Sequence, residues 1–180
     1  MADDLIYSPG DDVFRLRVLK SLTECLSGIV PANGYLHDLS GDGDDQSKGW
    51  VSRGKLVYGD DEPLPCVSIL EPPIPLEVIL SRGDNTYSSG DWELLIQGFV
   101  NDNPKHPSDP AHSLMGEVKA RLVREKRRDR GRNIFGMGGR VMEMYIGQGS
   151  VRPADQVSSR CFFWLTLTLK LAEELEQPYQ

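Results

Sequence analysis

The segment Arg53 to Pro73, RGKLVYGDDEPLPCVSILEPP, most constrains how this chain can fold. Lys55 to Tyr58 is short and β-prone. Leu64 to Leu70 is apolar and partly β-branched. Between them Gly59-Asp60-Asp61-Glu62-Pro63 has turn chemistry, so the segment reads as two strands around an acidic turn. An amphipathic helix precedes it, and a third strand, a second helix and a long final strand follow.

The first helix is expected from an Asp11 or Asp12 cap to about Gly28. Val13, Phe14, Leu16, Val18, Leu19, Leu22, Cys25, Leu26 and Ile29 recur at helical spacing and form a broad apolar face. Gly28 and Pro31 stop it. Trp50 to Tyr58 holds one strand broken by Gly54. The prolines of EPPIP forbid a central strand at that point, which leaves Leu76 to Leu80 as a short edge strand. WELLIQGFV, Trp92 to Val100, reads as a strand with Trp92, Leu94 and Ile96 on one face. A second helix opens with Asp109 as cap and Pro110 at the first helical position. Ala111, Leu114, Met115, Val118, Leu122 and Val123 give its apolar face, and it frays within Lys126 to Arg132. NIFGMGGR, Asn133 to Arg140, is a flexible or tightly turned loop. Val141 to Ile146 is a strand, Ser150 to Ser159 a loop, and Arg160 to Leu171 the last strand.

The order helix, strands, helix, strands predicts an α+β domain: a mainly antiparallel sheet with two principal helices packed on one face. A single domain is expected over 1–180. Its core runs from about 11 to 171, with long loops at 33–49, 81–91 and 128–159. In the last strand Phe163, Leu165, Leu167, Leu169 and Leu171 alternate with Phe162, Trp164, Thr166 and Thr168. The first set suits the core. The second either meets a neighbouring subunit or lies under a further helix.

Charge narrows the function. The chain carries −7 overall, so general polyanion binding is not expected. From Lys119 to Arg132, however, eight basic and two acidic residues give +6, which leaves −13 for the rest. Lys126, Arg127, Arg128, Arg130 and Arg132 are the candidate docking residues. They would meet an acidic protein surface, or else DNA phosphates, unless they are only a solvated helix end placed favourably in the helix dipole. Phe135 is the only aromatic near, which argues against a base-stacking surface.

No catalytic constellation is visible. His37, His106 and His112 lack metal-ligand spacing. Asp42, Asp44 and Asp45 resemble a calcium loop only superficially, since the glutamate twelve residues after the first ligand is missing. Gly136-Met137-Gly138-Gly139 lacks the Lys-Ser/Thr of a phosphate loop, and no GxSxG is present. Cys25, Cys66 and Cys161 are odd in number and each lies in an apolar run, which predicts buried free thiols. No cofactor is expected. Without an apolar leader or a long apolar run, a soluble protein made in the cytoplasm is expected.

The ordered pattern RLRVLKSLTECLSGIV, RGKLVYGDDEPLPCVSIL, WELLIQGFV, DPAHSLMGEVKARLVRE and RCFFWLTLTLKL resembles the tail terminator, or tail completion, proteins of long-tailed bacteriophages. The resemblance spans roughly Asp11 to Leu171 and rests on patterns, not signatures. It implies a virion neck protein that forms a hexameric ring, caps the tail tube, ends tube growth and docks to the head–tail connector. Its partners would be copies of itself, the tail tube protein, the connector and DNA passing through the lumen, with no membrane. The chain is longer than compact members of the family in Asn33 to Gly49, Ser81 to Asp91 and Arg128 to Ser159. A head-completion or other neck protein that contacts DNA through residues 119–132 is the alternative. A hydrolase is the third reading.

Overall fold

A computed structural model describes residues 12–56, 58–59, 61–72, 86–155 and 160–179. The elements run α1 (Phe14–Ser27), β1 (Trp50–Arg53), β2 (Cys66–Leu70), β3 (Tyr87–Val100), α2 (Asp109–Lys126), β4 (Val141–Ile146), β5 (Ser150–Arg152) and β6 (Cys161–Glu174). The strands form one sheet in the order β1-β2-β3-β6-β4, and β5 also pairs with β6. Among these strands the β1–β2 pair is parallel and the other pairs are antiparallel. The α+β architecture with a mainly antiparallel sheet is therefore borne out.

The spine is the ladder between β3 and β6, which pairs Tyr87 with Glu174 at one end and Val100 with Cys161 at the other. Trp92, Leu94 and Ile96 share its inner face with Phe163, Leu165, Leu167, Leu169 and Leu171, and all are buried. Phe14, Val18, Leu22, Cys25 and Leu26 of α1 and Ala111, Leu114, Val118 and Leu122 of α2 are buried against the same face. Both helices thus cover one side of the sheet, as their apolar spacing requires. Gly98 lies opposite Phe163, and a Cβ on Gly98 would overlap the Phe163 ring. The glycine makes room for the ring to lie flat on the sheet.

Several local expectations need correction. The strand expected over Lys55 to Tyr58 lies upstream instead, at Trp50–Arg53, and Trp50 N–H bonds to the Pro65 carbonyl at 3.1 Å. The second strand starts at Cys66, not Leu64. Lys55 and Tyr58 belong to a segment folded back over the outer face. The Ser68 hydroxyl donates to the Lys55 carbonyl at 2.8 Å, and Ser52 and Tyr58 hydroxyls bond at 2.7 Å. That backfold accounts for the burial of Ser52 and Ser68.

β3 begins at Tyr87, so the loop expected over 81–91 is extended backbone from 87 onward; β6 continues to Glu174. The edge strand expected at Leu76 to Leu80 lies outside the described residues. Val13 occupies the cap position of α1, while Asp12 instead pairs with Lys20 at 2.5 Å. For α2 the cap position is Ser108, Asp109 is already helical, and neither cap makes a side-chain bond. The loop expected over Ser150 to Ser159 contributes β5. Among the described residues no helix is long and apolar enough to cross a membrane.

Candidate interaction surfaces

Three surfaces gather the unusual side chains. The first is the basic turn after α2. The helix does not fray. It closes in a tight turn, Arg128–Gly131, in which Asp129 (φ 47°) and Arg130 (φ 57°) adopt left-handed backbone. Such conformations cost non-glycine residues about 1–3 kcal/mol each and persist only where the surroundings fix them. Here they are fixed from behind. Ile134 and Phe135 are buried in the core, and Phe135 is itself left-handed at φ 56°. The Phe135 N–H donates to Glu125 Oε1 at 2.8 Å, and Arg128 reaches the same carboxylate at 3.3 Å. The Gly-rich segment is thus tightly turned rather than flexible, and Phe135 is unavailable for stacking on a base.

The five candidate docking residues are brought together around this turn. Lys126 holds its ammonium 5.7 Å from the Tyr145 ring on β4. Arg128 is committed to Glu125. Arg127, Arg130 and Arg132 are exposed and enter no ion pair among the described residues. The upstream cations are spent internally: Arg121 donates to the Cys25 carbonyl at 2.7 Å, Lys119 bonds the Gln148 carbonyl, and Arg124 lies 4.9 Å from the Tyr35 ring. A cavity of about 230 Å³ beside the turn is lined by Lys126, Ile134, Met142 and Tyr145.

The second surface is an acidic loop outboard of β1. Gly41 bridges Trp50 on the side of β1 away from β2. Gly49 N–H donates to the Asp38 carbonyl at 2.8 Å, and a Cβ on Gly49 would collide with the Asp38 and Pro65 carbonyls. The carboxylates then shape their own loop. Asp38 accepts from the Ser40 hydroxyl and N–H, Asp42 from the N–H groups of Asp44 and Asp45, and Asp45 from the Ser47 hydroxyl and N–H. The hydroxyl of Ser40, the N–H of Asp44 and the hydroxyl of Ser47, respectively, lead in holding Asp38, Asp42 and Asp45 below the ordinary carboxylate range.

The third surface is the outer face of the sheet, where neither helix packs. The alternative of a further helix over this face therefore fails among the described elements. Phe162 is buried, Trp164 is 39% exposed, Thr166 is exposed and Thr168 is partly so. Phe162 owes its burial to an aromatic run, Tyr58–Phe99–Phe162–Trp164, with centroids 4.9, 5.9 and 5.3 Å apart. Tyr145, opposite Thr168 on β4, is 52% exposed. The four candidate interface residues split: Phe162 is largely internal, and the other three offer surface.

His37 Nδ1 lies 2.8 Å from Glu117, whose carboxylate also accepts the N–H groups of Leu36 and His37. His106 and His112 are exposed. Among the described residues no three of His, Cys, Asp or Glu converge as metal ligands would. The three cysteines are free and buried. Desolvation pushes the Cys25 and Cys66 thiols up to about 12. A polar cavity of about 400 Å³ is lined by Gln46, Asp61, Glu62, Leu64, Asn101 and Arg160. No family model and no curated protein matches the chain.

Proposed function

We propose that this chain is a structural virion protein of the tail terminator type. It assembles as a ring on the end of a phage tail tube, stops tube growth and presents a face to the head connector. The observation that carries the reading is the asymmetry of the sheet. One face is sealed by α1 and α2; the other offers Trp164, Thr166 and Tyr145 to a neighbour. The outer edge of β4 and the loop that flanks β1 lie at opposite ends of the strand order, where a repeating contact can use them. On this reading function lies in surfaces: one ring face copies the contacts of a tube subunit, and the other lacks them. A hexamer is the size the family resemblance implies.

Gold-labelled antibody against the chain, applied to purified phage particles that encode it, tests the proposal. One labelled site per particle at the head-proximal end of the tail is expected. Label along the tube, or unlabelled particles from cells that make the chain, would overturn it. The DNA-contacting alternative draws on Arg127, Arg130 and Arg132. It requires salt-sensitive retention of DNA by the isolated protein.

A further inference from the structure

Resting on the ring reading above, we propose that the basic turn at the β4 edge docks on the acidic loop at the β1 edge of a second copy, head to tail. The two surfaces are chemical complements. The segment Asp38 to Lys48 carries four aspartates and one lysine, a net −3. The Asp38, Asp42 and Asp45 carboxylates bond N–H groups and serine hydroxyls, and none of the four aspartates enters a salt bridge among the described residues. The turn offers Arg127, Arg130 and Arg132, also outside any such ion pair. Each patch therefore keeps a net charge after its own counterion is counted, Lys48 in the loop and Asp129 in the turn, and most of its charged side chains are exposed.

Position makes the contact heterologous. β1 and β4 are the two ends of the strand order, four steps apart at about 4.8 Å each. The acidic loop lies beyond β1, and Lys126 and the turn flank β4. With the patches on opposite flanks, each contact leaves a free acidic loop on one copy and a free basic turn on the other. Such contacts repeat until a ring closes or a filament grows.

Both partners are also preformed. Aspartate-to-backbone bonds fix the acidic loop, while Glu125 and buried Phe135 fix the turn. Little ordering entropy is then lost on docking. The groove of Ile134, Met142 and Tyr145 gives the contact an apolar centre beside its charged rim.

The test is solution mass of the full chain and two variants. One carries Arg127→Glu, Arg130→Glu and Arg132→Glu. The other carries Asp44→Lys with Asp42→Asn and Asp45→Asn, which retains side-chain acceptors for the loop. Circular dichroism and thermal unfolding identify any variant that misfolds. Each variant alone should associate about tenfold more weakly than wild type or worse, and mixing the two should restore assembly in alternating order. The mixing arm is decisive, because a variant that merely misfolds is not rescued by its complement. If wild type assembles and neither variant changes the mass, this inference falls and the ring reading stands. If wild type stays monomeric throughout, in solution and on tail tubes, both fall. If the arginine variant loses DNA retention without a change in mass, the turn serves nucleic acid and the inference is overturned.

Discussion

At the scale of single residues, packing and pairing decide most of what is seen. Phe163 is fully buried directly over Gly98. Gly98→Ala should destabilise the fold by about 1–3 kcal/mol through overpacking. Chemical denaturation should show a lower midpoint with an unchanged slope; an unchanged midpoint would mean the ring can move aside. The cysteines make a second prediction. With Cys25 and Cys66 pushed up to about 12, their thiolates are scarce at neutral pH. A thiol reagent should therefore label the native chain very slowly and label all three sites in denaturant. The burial of these thiols was legible from the apolar runs around them. The role of Glu117 was not, because its partners Leu36 and His37 lie some eighty residues away and only the fold brings them together.

At the scale of elements, periodicity carried α1, α2 and β6, whose spacing matches the faces they bury. It failed where side chains do not report the pairing. Tyr87 to Asp91 contains Ser-Ser-Gly-Asp and reads as a turn, yet the backbone extends because β6 runs long enough to pair with it. Trp50–Arg53 was read as part of a strand reaching Tyr58. Its true limit is set by the parallel register with Cys66–Ile69 and by the segment that folds back after Gly54. The turn after α2 read as a fraying end because exposed arginines say nothing about the buried Phe135 that anchors it. Glu125 is the testable link. Glu125→Ala removes the acceptor of the Phe135 N–H and should cost about 1–3 kcal/mol. Limited tryptic cleavage between Lys126 and Arg140 should become faster than in wild type. Equal cleavage rates would mean that core burial alone holds the turn.

At the scale of the whole molecule, the α+β class was legible because two amphipathic helices with one apolar stripe each require a sheet face to cover. The candidate surfaces were legible only in part. The basic segment stood out by charge, but the pairing of edges depends on strand order, which no local pattern encodes. If acidic loop and basic turn meet, assembly should weaken with salt and tolerate mild acid. The sign follows from the loop: hydrogen bonds favour the ionised carboxylates and lower the values for Asp38, Asp42 and Asp45. Their charge persists until pH falls through those lowered values, beneath the ordinary aspartate range. Association followed by light scattering should hold from about pH 8 to 5 and fail only under stronger acid. Loss under only mild acid would contradict a contact carried by these aspartates.

The most direct test of ring assembly is the mass of the full chain by light scattering across a concentration series, with electron-microscopy class averages from the same sample. The account predicts a closed ring, six subunits on the family resemblance, whose mass stays constant once formed. A strict monomer at every concentration, which also fails to form rings when tail tubes are added, would contradict it.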